Sequence, residues 1–135
     1  MSAQASGPFD VKLTPQEDKL DPTLSRMIID KTFHGDLEAT SKGQMLGAST
    51  DVKGSAAYVA IERVTGILHT VAGARTGTFA LYHAGTLTRG NPQLSVTVVP
   101  DSGTGQLTGI TGKMSIDISE GKHSYSFDYT LPGSN

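Results

Sequence analysis

Two ionisable side chains, Glu62 and His83, fall on the apolar faces of two consecutive predicted strands. Both segments alternate apolar and polar residues with period two, which is the pattern of half-buried strands. A turn centred between Ala72 and Gly73 places Glu62 directly opposite His83. A carboxyl group beside an imidazole in apolar surroundings can transfer protons or bind a ligand by hydrogen bonds. We therefore take Glu62 and His83 as candidate catalytic residues.

The same pair also has a purely structural interpretation. A buried acid and imidazole can satisfy each other's hydrogen bonds and fix the register of the two strands that carry them. Perturbed ionisable pairs are enriched at functional sites, but they are not confined to such sites. The residue pattern leaves both interpretations open.

Two tyrosines, Tyr58 and Tyr125, are candidates to orient a ligand through their hydroxyl groups. Tyrosine also fills the walls of β-proteins with its ring while its hydroxyl group stays near water. This second, structural role is the more common one for a buried tyrosine.

The four histidines, His34, His69, His83 and His123, raise the question of a metal site. None of them forms an i, i+2 pair on one strand, and no carboxylate–histidine motif has helical spacing. A zinc site needs about three or four converging ligands. We therefore predict neither a metal nor a cofactor.

The glycine-rich segment Pro100–Gly105 permits three interpretations. A phosphate-binding loop would need a helix behind it, and the pattern predicts a strand there. The Asp101-Ser102-Gly103 triplet matches the short motif of aspartic proteases, which would also need a second aspartate and a flap. The ordinary interpretation is a hairpin loop in which glycine supplies positive φ and aspartate caps the turn.

Five cationic residues are dispersed along the chain: Lys31, Lys42, Arg63, Arg89 and Lys113. Because they do not cluster, we assign them to the solvated outer surface of the fold.

The elements that must position these residues are strands. Period-two segments separated by turn residues predict eight of them: Phe9–Leu13, Leu24–Phe33, Leu37–Ala48, Ala57–His69, Thr76–Arg89, Gln93–Val99, Gln106–Ile118 and His123–Leu131. Tight turns join antiparallel strands, and closure of the sheet removes its edges. We predict an all-β fold, an eight-stranded antiparallel closed barrel with meander topology, whose interior accommodates side chains or one small ligand.

The whole chain, residues 1–135, is predicted to form this one domain. The ordered core is expected over about residues 8–131, with a polar loop at residues 14–23 and a loose tail at residues 132–135.

Hairpin register divides the strand residues between two faces. The turns place His83 opposite Val98, and Val98 opposite Leu107. The interior is predicted to contain an apolar set: Val64, Phe79, Leu81, Leu94, Val96, Val98 and Leu107.

The apolar residues of strand seven fall on the face opposite Leu107 if that strand is regular: Ile110, Met114, Ile116 and Ile118. A bulge at Gly109 or Gly112 would bring them inside. Alternatively, a partner subunit covers them, so we expect self-association through the outer face of strand seven or eight.

Composition excludes several functional classes. The chain has no cysteine, so disulfides, thiolate zinc sites and a cysteine nucleophile are ruled out. A net charge of -2 gives no basic face for nucleic acid. We also expect no membrane partner and a cytoplasmic location, because neither a signal sequence nor a long apolar run is present.

Four segments of the chain resemble the DUF3224 family: FHGDLEATSKG (33–43), YVAIERVTG (58–66), TGTFALYHAGT (76–86) and VVPDSGTGQLTGITGKMSI (98–116). The resemblance spans residues 9–131. Members are small bacterial proteins of unassigned function, and the fold that the resemblance implies is similar to the allene oxide cyclase barrel, which is calycin-like. It supplies no catalytic motif that can be carried over to this sequence.

The first functional hypothesis is a barrel that binds a small apolar or amphipathic ligand in its lumen. The residues expected to contact the ligand are Tyr58, Glu62, Phe79, Leu81, His83, Val96, Val98 and Tyr125. The second hypothesis is a cofactor-independent isomerase or cyclase that uses Glu62 or His83 as acid or base. The third is a structural barrel with a filled lumen.

Overall fold

The predicted closed barrel is confirmed. The computed structural model describes residues 3–17 and 20–132. The strands pair in chain order and the last pairs with the first, so the sheet closes. The strands are β1 (Ala3–Pro15), β2 (Leu24–Phe33), β3 (Leu37–Ser49), β4 (Ala56–Thr70), β5 (Gly73–Thr88), β6 (Asn91–Val98), β7 (Thr111–Ser119) and β8 (Lys122–Thr130).

A short 3-10 helix, Gly105–Leu107, lies between β6 and β7. Across the described residues, no helix has the length and apolar character needed to cross a membrane. Of the predicted loop and tail, residues 18–19 and 133–135 lie outside the described part of the chain.

The first strand is longer than predicted. Its first half pairs with β8, from Ala3 to Phe9, and its second half pairs with β2, from Phe9 to Pro15. The first half therefore closes the barrel. Only small residues face inward before Phe9, so the hydrophobic signal is too weak to reveal this half of the strand. Thr14 and Pro15 also belong to the strand and not to the loop.

The predicted hairpin register between β4 and β5 is wrong by two residues. Glu62 lies opposite Leu81, and His83 lies opposite Ala60, because the turn is centred between Val71 and Ala72, one residue earlier than predicted. The next hairpin shows the same shift, since His83 lies opposite Val96. A two-residue shift keeps every side chain on its predicted face, because side chains alternate with period two.

The predicted pairing of Val98 with Leu107 is also wrong. Leu107 lies in the 3-10 helix, and β7 begins only at Thr111. Strand β5 extends further than β6, so its exposed edge needs another partner. The segment after β6 supplies it, since Thr104 donates its backbone N–H to the Thr78 carbonyl. Between β6 and β7 one residue pair remains, Thr97 with Lys113.

The predicted interior set is buried, with the exception of Leu94, which is 44% exposed. Met114 and Ile110 join the same core, and Ile116 packs against it. The apolar face of β7 is therefore interior, because the 3-10 helix and the following turn reset the phase of the strand. The outer face of β7 and β8 is polar, so it offers no apolar surface for the expected self-association.

The core fills one end of the barrel and leaves the other end open. Tyr125 ties the closed end together, because its hydroxyl group accepts a hydrogen bond from the Leu37 N–H at 2.9 Å and donates one to the His34 carbonyl at 2.7 Å. Large apolar side chains pack behind it: Phe33, Leu37, Leu68, Phe79, Leu107 and Phe127. The opposite end carries the turns that join β3 to β4, β5 to β6, and β7 to β8.

Candidate functional site

A buried carboxylate, Glu62, gathers three hydrogen-bond donors in the middle of the barrel. Ser41 Oγ donates to Glu62 Oε1 at 2.6 Å, and Lys31 Nζ donates to Oε2 at 2.7 Å. The Nε2 atom of His83 lies 2.5 Å from the same Oε2. All four side chains are buried, and Glu62 is only 1% exposed.

The cluster is built from four neighbouring strands. Lys31 lies on β2, Ser41 on β3, Glu62 on β4 and His83 on β5, and each side chain points inward. Gly43 lies opposite Glu62. A Cβ atom on Gly43 would come within 2.8 Å of the Glu62 Cβ, so the glycine leaves the space that the acid occupies.

The surroundings hold Glu62 in its charged form. Burial alone would raise its pKa, but the hydrogen bond from His83, the charge of Lys31 and the hydrogen bonds from Lys31 and Ser41 together outweigh burial. The pKa of Glu62 is lowered to about 2. Lys31 balances this charge, and its Nζ also lies 5.2 Å and 5.7 Å from the ring centroids of Phe9 and Phe33.

The charged state of Glu62 determines the tautomer of His83. A carboxylate only accepts hydrogen bonds, so the proton of this contact sits on the His83 Nε2. In the neutral imidazole, Nδ1 is then an acceptor with a free lone pair. Within the described chain Nδ1 makes no hydrogen bond, whereas every fully buried polar side-chain atom there has a partner. Nδ1 is therefore accessible from the lumen.

Tyr58 covers the cluster on the side of the open end. Its ring centroid lies 6.3 Å from that of His83. Burial, together with the charge of Glu62, raises the pKa of its hydroxyl group, which stays neutral. Gly85 lies opposite Tyr58, and a Cβ atom there would come 2.5 Å from the ring, so the glycine makes room for it.

A cavity of about 620 Å³ occupies the open end above Tyr58. Its inward-facing walls are mainly apolar and include Met45, Leu87, Leu94 and Ile118. Ile118 is 64% exposed, which is unusual for an isoleucine on the inner face of a barrel. Within the part of the chain that the structure describes, the lining contains no Asp, Glu, Lys, Arg or His.

The structure separates the residues predicted to contact a ligand into four groups. Tyr58 lines the cavity, and Glu62 and His83 are hydrogen-bonded to each other below it. Four others are buried side chains that do not line this cavity: Phe79, Leu81, Val96 and Val98. Tyr125 lies at the closed end of the barrel, where its hydroxyl group is bonded to the backbone.

Sequence reasoning missed two members of the cluster. The assignment of Lys31 to the outer surface is wrong, because its side chain is 6% exposed and bonded to Glu62. The sequence pattern did indicate that Lys31 faces inward, because Lys31 lies between Ile29 and Phe33 on the same face of β2. The remaining member, Ser41, carries no comparable signal, because serine is common on both faces of a strand.

The histidines do not converge. In residues 3–17 and 20–132, no three or more His, Cys, Asp or Glu side chains lie close enough together to hold a metal ion. His34 pairs with Asp10 and His69 pairs with Glu38 on the outside of the barrel.

The segment Pro100–Gly105 is used for structure. The Ser102 N–H donates to the Val99 carbonyl, and the Ser102 hydroxyl group accepts a hydrogen bond from the Ala80 N–H. The segment therefore forms a turn and then follows the edge of β5. Only the short 3-10 helix comes before β7, and a phosphate-binding loop would need a longer helix there.

Comparison with known proteins identifies the family of the chain and a solved structure with a similar fold. The profile of the family described as "Protein of unknown function (DUF3224)" matches residues 5–129. A crystal structure of a DUF3224 protein of unknown function from Shewanella oneidensis MR-1 is 48% identical, with a TM-score of 0.88. The match covers 97% of this chain and 98% of that one. Among proteins with curated functional descriptions, none matches the chain.

Proposed function

The chain belongs to the DUF3224 family, and from that premise we propose that it binds a small amphipathic ligand in the open end of its barrel. The observation that carries this proposal is the apolar cavity of about 620 Å³ directly above Tyr58. Ligand pockets commonly measure about 300–1,000 Å³ and combine apolar walls with a few polar groups.

The two ends of the cavity offer different contacts. Near the rim, Leu87, Leu94 and Ile118 present partly exposed apolar surface, and a ligand would remove that surface from water. At the inner end, the hydroxyl group of Tyr58 makes no hydrogen bond to any other described residue. A ligand with an apolar body at the rim and a polar head group at the inner end would match both the apolar rim and the Tyr58 hydroxyl group.

A second candidate function is a cofactor-independent isomerase or cyclase. The observation that favours it is the His83 imidazole, whose Nε2 is held by Glu62 while Nδ1 remains available to accept a proton. A structural barrel remains the third candidate, and the packed closed end is what supports it.

The binding proposal is tested with the neutral fluorescent probe N-phenyl-1-naphthylamine and two variants of β6. Leu94→Glu places a charge in the cavity wall, and Ser95→Glu places the same charge on the next residue, which faces outward. We expect probe fluorescence to rise with the wild-type protein and with Ser95→Glu, and binding to weaken at least about tenfold in Leu94→Glu. Absence of binding to folded wild-type protein, or equal binding by both variants, would contradict the proposal.

A further inference from the structure

We propose that the cavity selects a ligand whose head group is uncharged and carries an O–H or N–H donor, such as an alcohol or phenol, over a carboxylate. This inference rests on the proposed binding function and adds the chemical class of the ligand. It comes from the way the charges and free hydrogen-bonding atoms are distributed along the lumen.

The first step concerns charge. Among residues 3–17 and 20–132, the cavity lining has no charged side chain, and Lys31, which lies below its inner end, is already paired with Glu62 at 2.7 Å. A carboxylate that left water for this site would find no unpaired cation in the described lining and would approach the charge of Glu62. Because an uncompensated buried charge is strongly unfavourable, a carboxylate is disfavoured.

Among the described residues, His123 also faces inward toward the open end. It is partly exposed and lies against Phe9, with ring centroids 5.2 Å apart. It does not line the cavity.

The second step concerns the free hydrogen-bonding atoms. The tautomer fixed by Glu62 leaves His83 Nδ1 as an acceptor, so it calls for a donor from the ligand. The Tyr58 hydroxyl group can donate to the ligand's oxygen atom. His83 lies below the cavity lining, so the head group must reach past Tyr58. One alcohol or phenol group in that position would satisfy both residues, whereas an ether can only accept and a carboxylate adds charge.

The test uses three probes with matched chains at pH 8: 1-decanol, decyl methyl ether and decanoate. Each displaces N-phenyl-1-naphthylamine from the wild-type protein. We expect 1-decanol to displace the probe at a concentration at least about tenfold below that of either other compound, because an unmet buried donor or acceptor strongly reduces affinity.

Two tyrosine variants show whether the preference arises in the lumen. Tyr58→Phe keeps the ring that fills the space beside Gly85 but removes the hydroxyl group, and should reduce the advantage of 1-decanol over the ether. Tyr82→Phe makes the same change on the outer wall and should keep the full advantage. Both variants retain the cluster around Glu62, so both are expected to fold.

The outcomes separate the two proposals. Equal displacement by the three compounds, or stronger displacement by decanoate, would overturn the head-group inference while the binding function stands. An unchanged preference in Tyr58→Phe, or a lost preference in Tyr82→Phe, would also overturn it. Failure of the fluorescent probe and of all three compounds to bind would overturn both proposals.

Discussion

At the scale of single residues, Glu62 connects stability to the candidate site. It accepts hydrogen bonds from Ser41, Lys31 and His83, and so joins four strands through one carboxylate. The same contacts orient the imidazole and leave its Nδ1 free toward the lumen. A structural role and a binding role therefore do not exclude each other, because the first creates the geometry that the second would use.

The lowered pKa of Glu62 predicts how stability depends on pH. The pKa falls from the ordinary value of 4.5 to about 2, so its contribution is fully present above about pH 4.5 and is lost as pH falls toward 2. At about 1.4 kcal/mol for each unit by which the pKa is lowered, this contribution is roughly 3–4 kcal/mol. The free energy of unfolding of the wild-type protein, measured by urea denaturation, should therefore fall more steeply between pH 6 and pH 3 than that of Glu62→Gln.

A matched variant controls for the other carboxylates of the protein. Glu38→Gln changes an exposed acid on the outer face of β3 and should keep the steep pH dependence of the wild-type protein. If the free energy of unfolding of Glu62→Gln depends on pH as steeply as that of the wild-type protein, the Glu62 carboxylate does not cause the pH dependence.

At the scale of strands, the alternation of apolar and polar residues with period two was sufficient to predict the barrel and the inward faces of its strands. A two-residue error in the turns on either side of β5 left Glu62 and His83 inside, because an even shift preserves the face. The first half of β1 was missed, since Ala3, Ala5 and Gly7 give no strong apolar pattern.

The segment between β6 and β7 could not be predicted from local pattern. Its course depends on the unequal lengths of β5 and β6, which leave part of the β5 edge without a strand partner. Thr104 meets this edge through backbone and side-chain hydrogen bonds to Thr78. Such a long-range requirement leaves no trace in periodicity, so strand seven was predicted to begin too early, at Gln106.

The site was only partly predictable for a similar reason. Alternation identified the acid and the imidazole, and it would also have identified Lys31 if the charge had not been assumed to face water. The position of the cavity depends on which half of the barrel the core fills. Phe79 and Phe127 stack with ring centroids 5.7 Å apart in the packed half, so the cavity lies in the other half. Nothing in either strand alone shows which half of the barrel is filled.

At the scale of the whole molecule, the outer wall contains an apolar patch on β3, β4 and β5. Val59 is 55% exposed and Ile61 is 61% exposed, with Leu46 and Tyr82 beside them on neighbouring strands. Exposed apolar patches commonly mark protein–protein contacts. The patch has no charged member, so a second copy of the chain could cover it without repulsion between like charges.

Self-association was expected through the outer face of strand seven or eight, and it stays a prediction. Because that face is polar, we now expect self-association through the apolar patch on β3, β4 and β5 instead. Sedimentation at micromolar concentration should show a complex larger than the monomer, and Ile61→Lys should disrupt it. Thr65→Lys, on the same outer face of β4, should leave it intact. A monomeric wild-type protein would contradict this prediction without affecting the binding proposal.

The central claim is that the open end of the barrel is the ligand site, and methyl NMR during titration with N-phenyl-1-naphthylamine tests it most directly. We predict that the methyl signals of Leu87, Leu94 and Ile118 shift as the probe is added, while those of Val59 and Ile61 on the outer wall do not. Shifts confined to Val59 and Ile61, or no shifts at a saturating probe concentration, would contradict the claim.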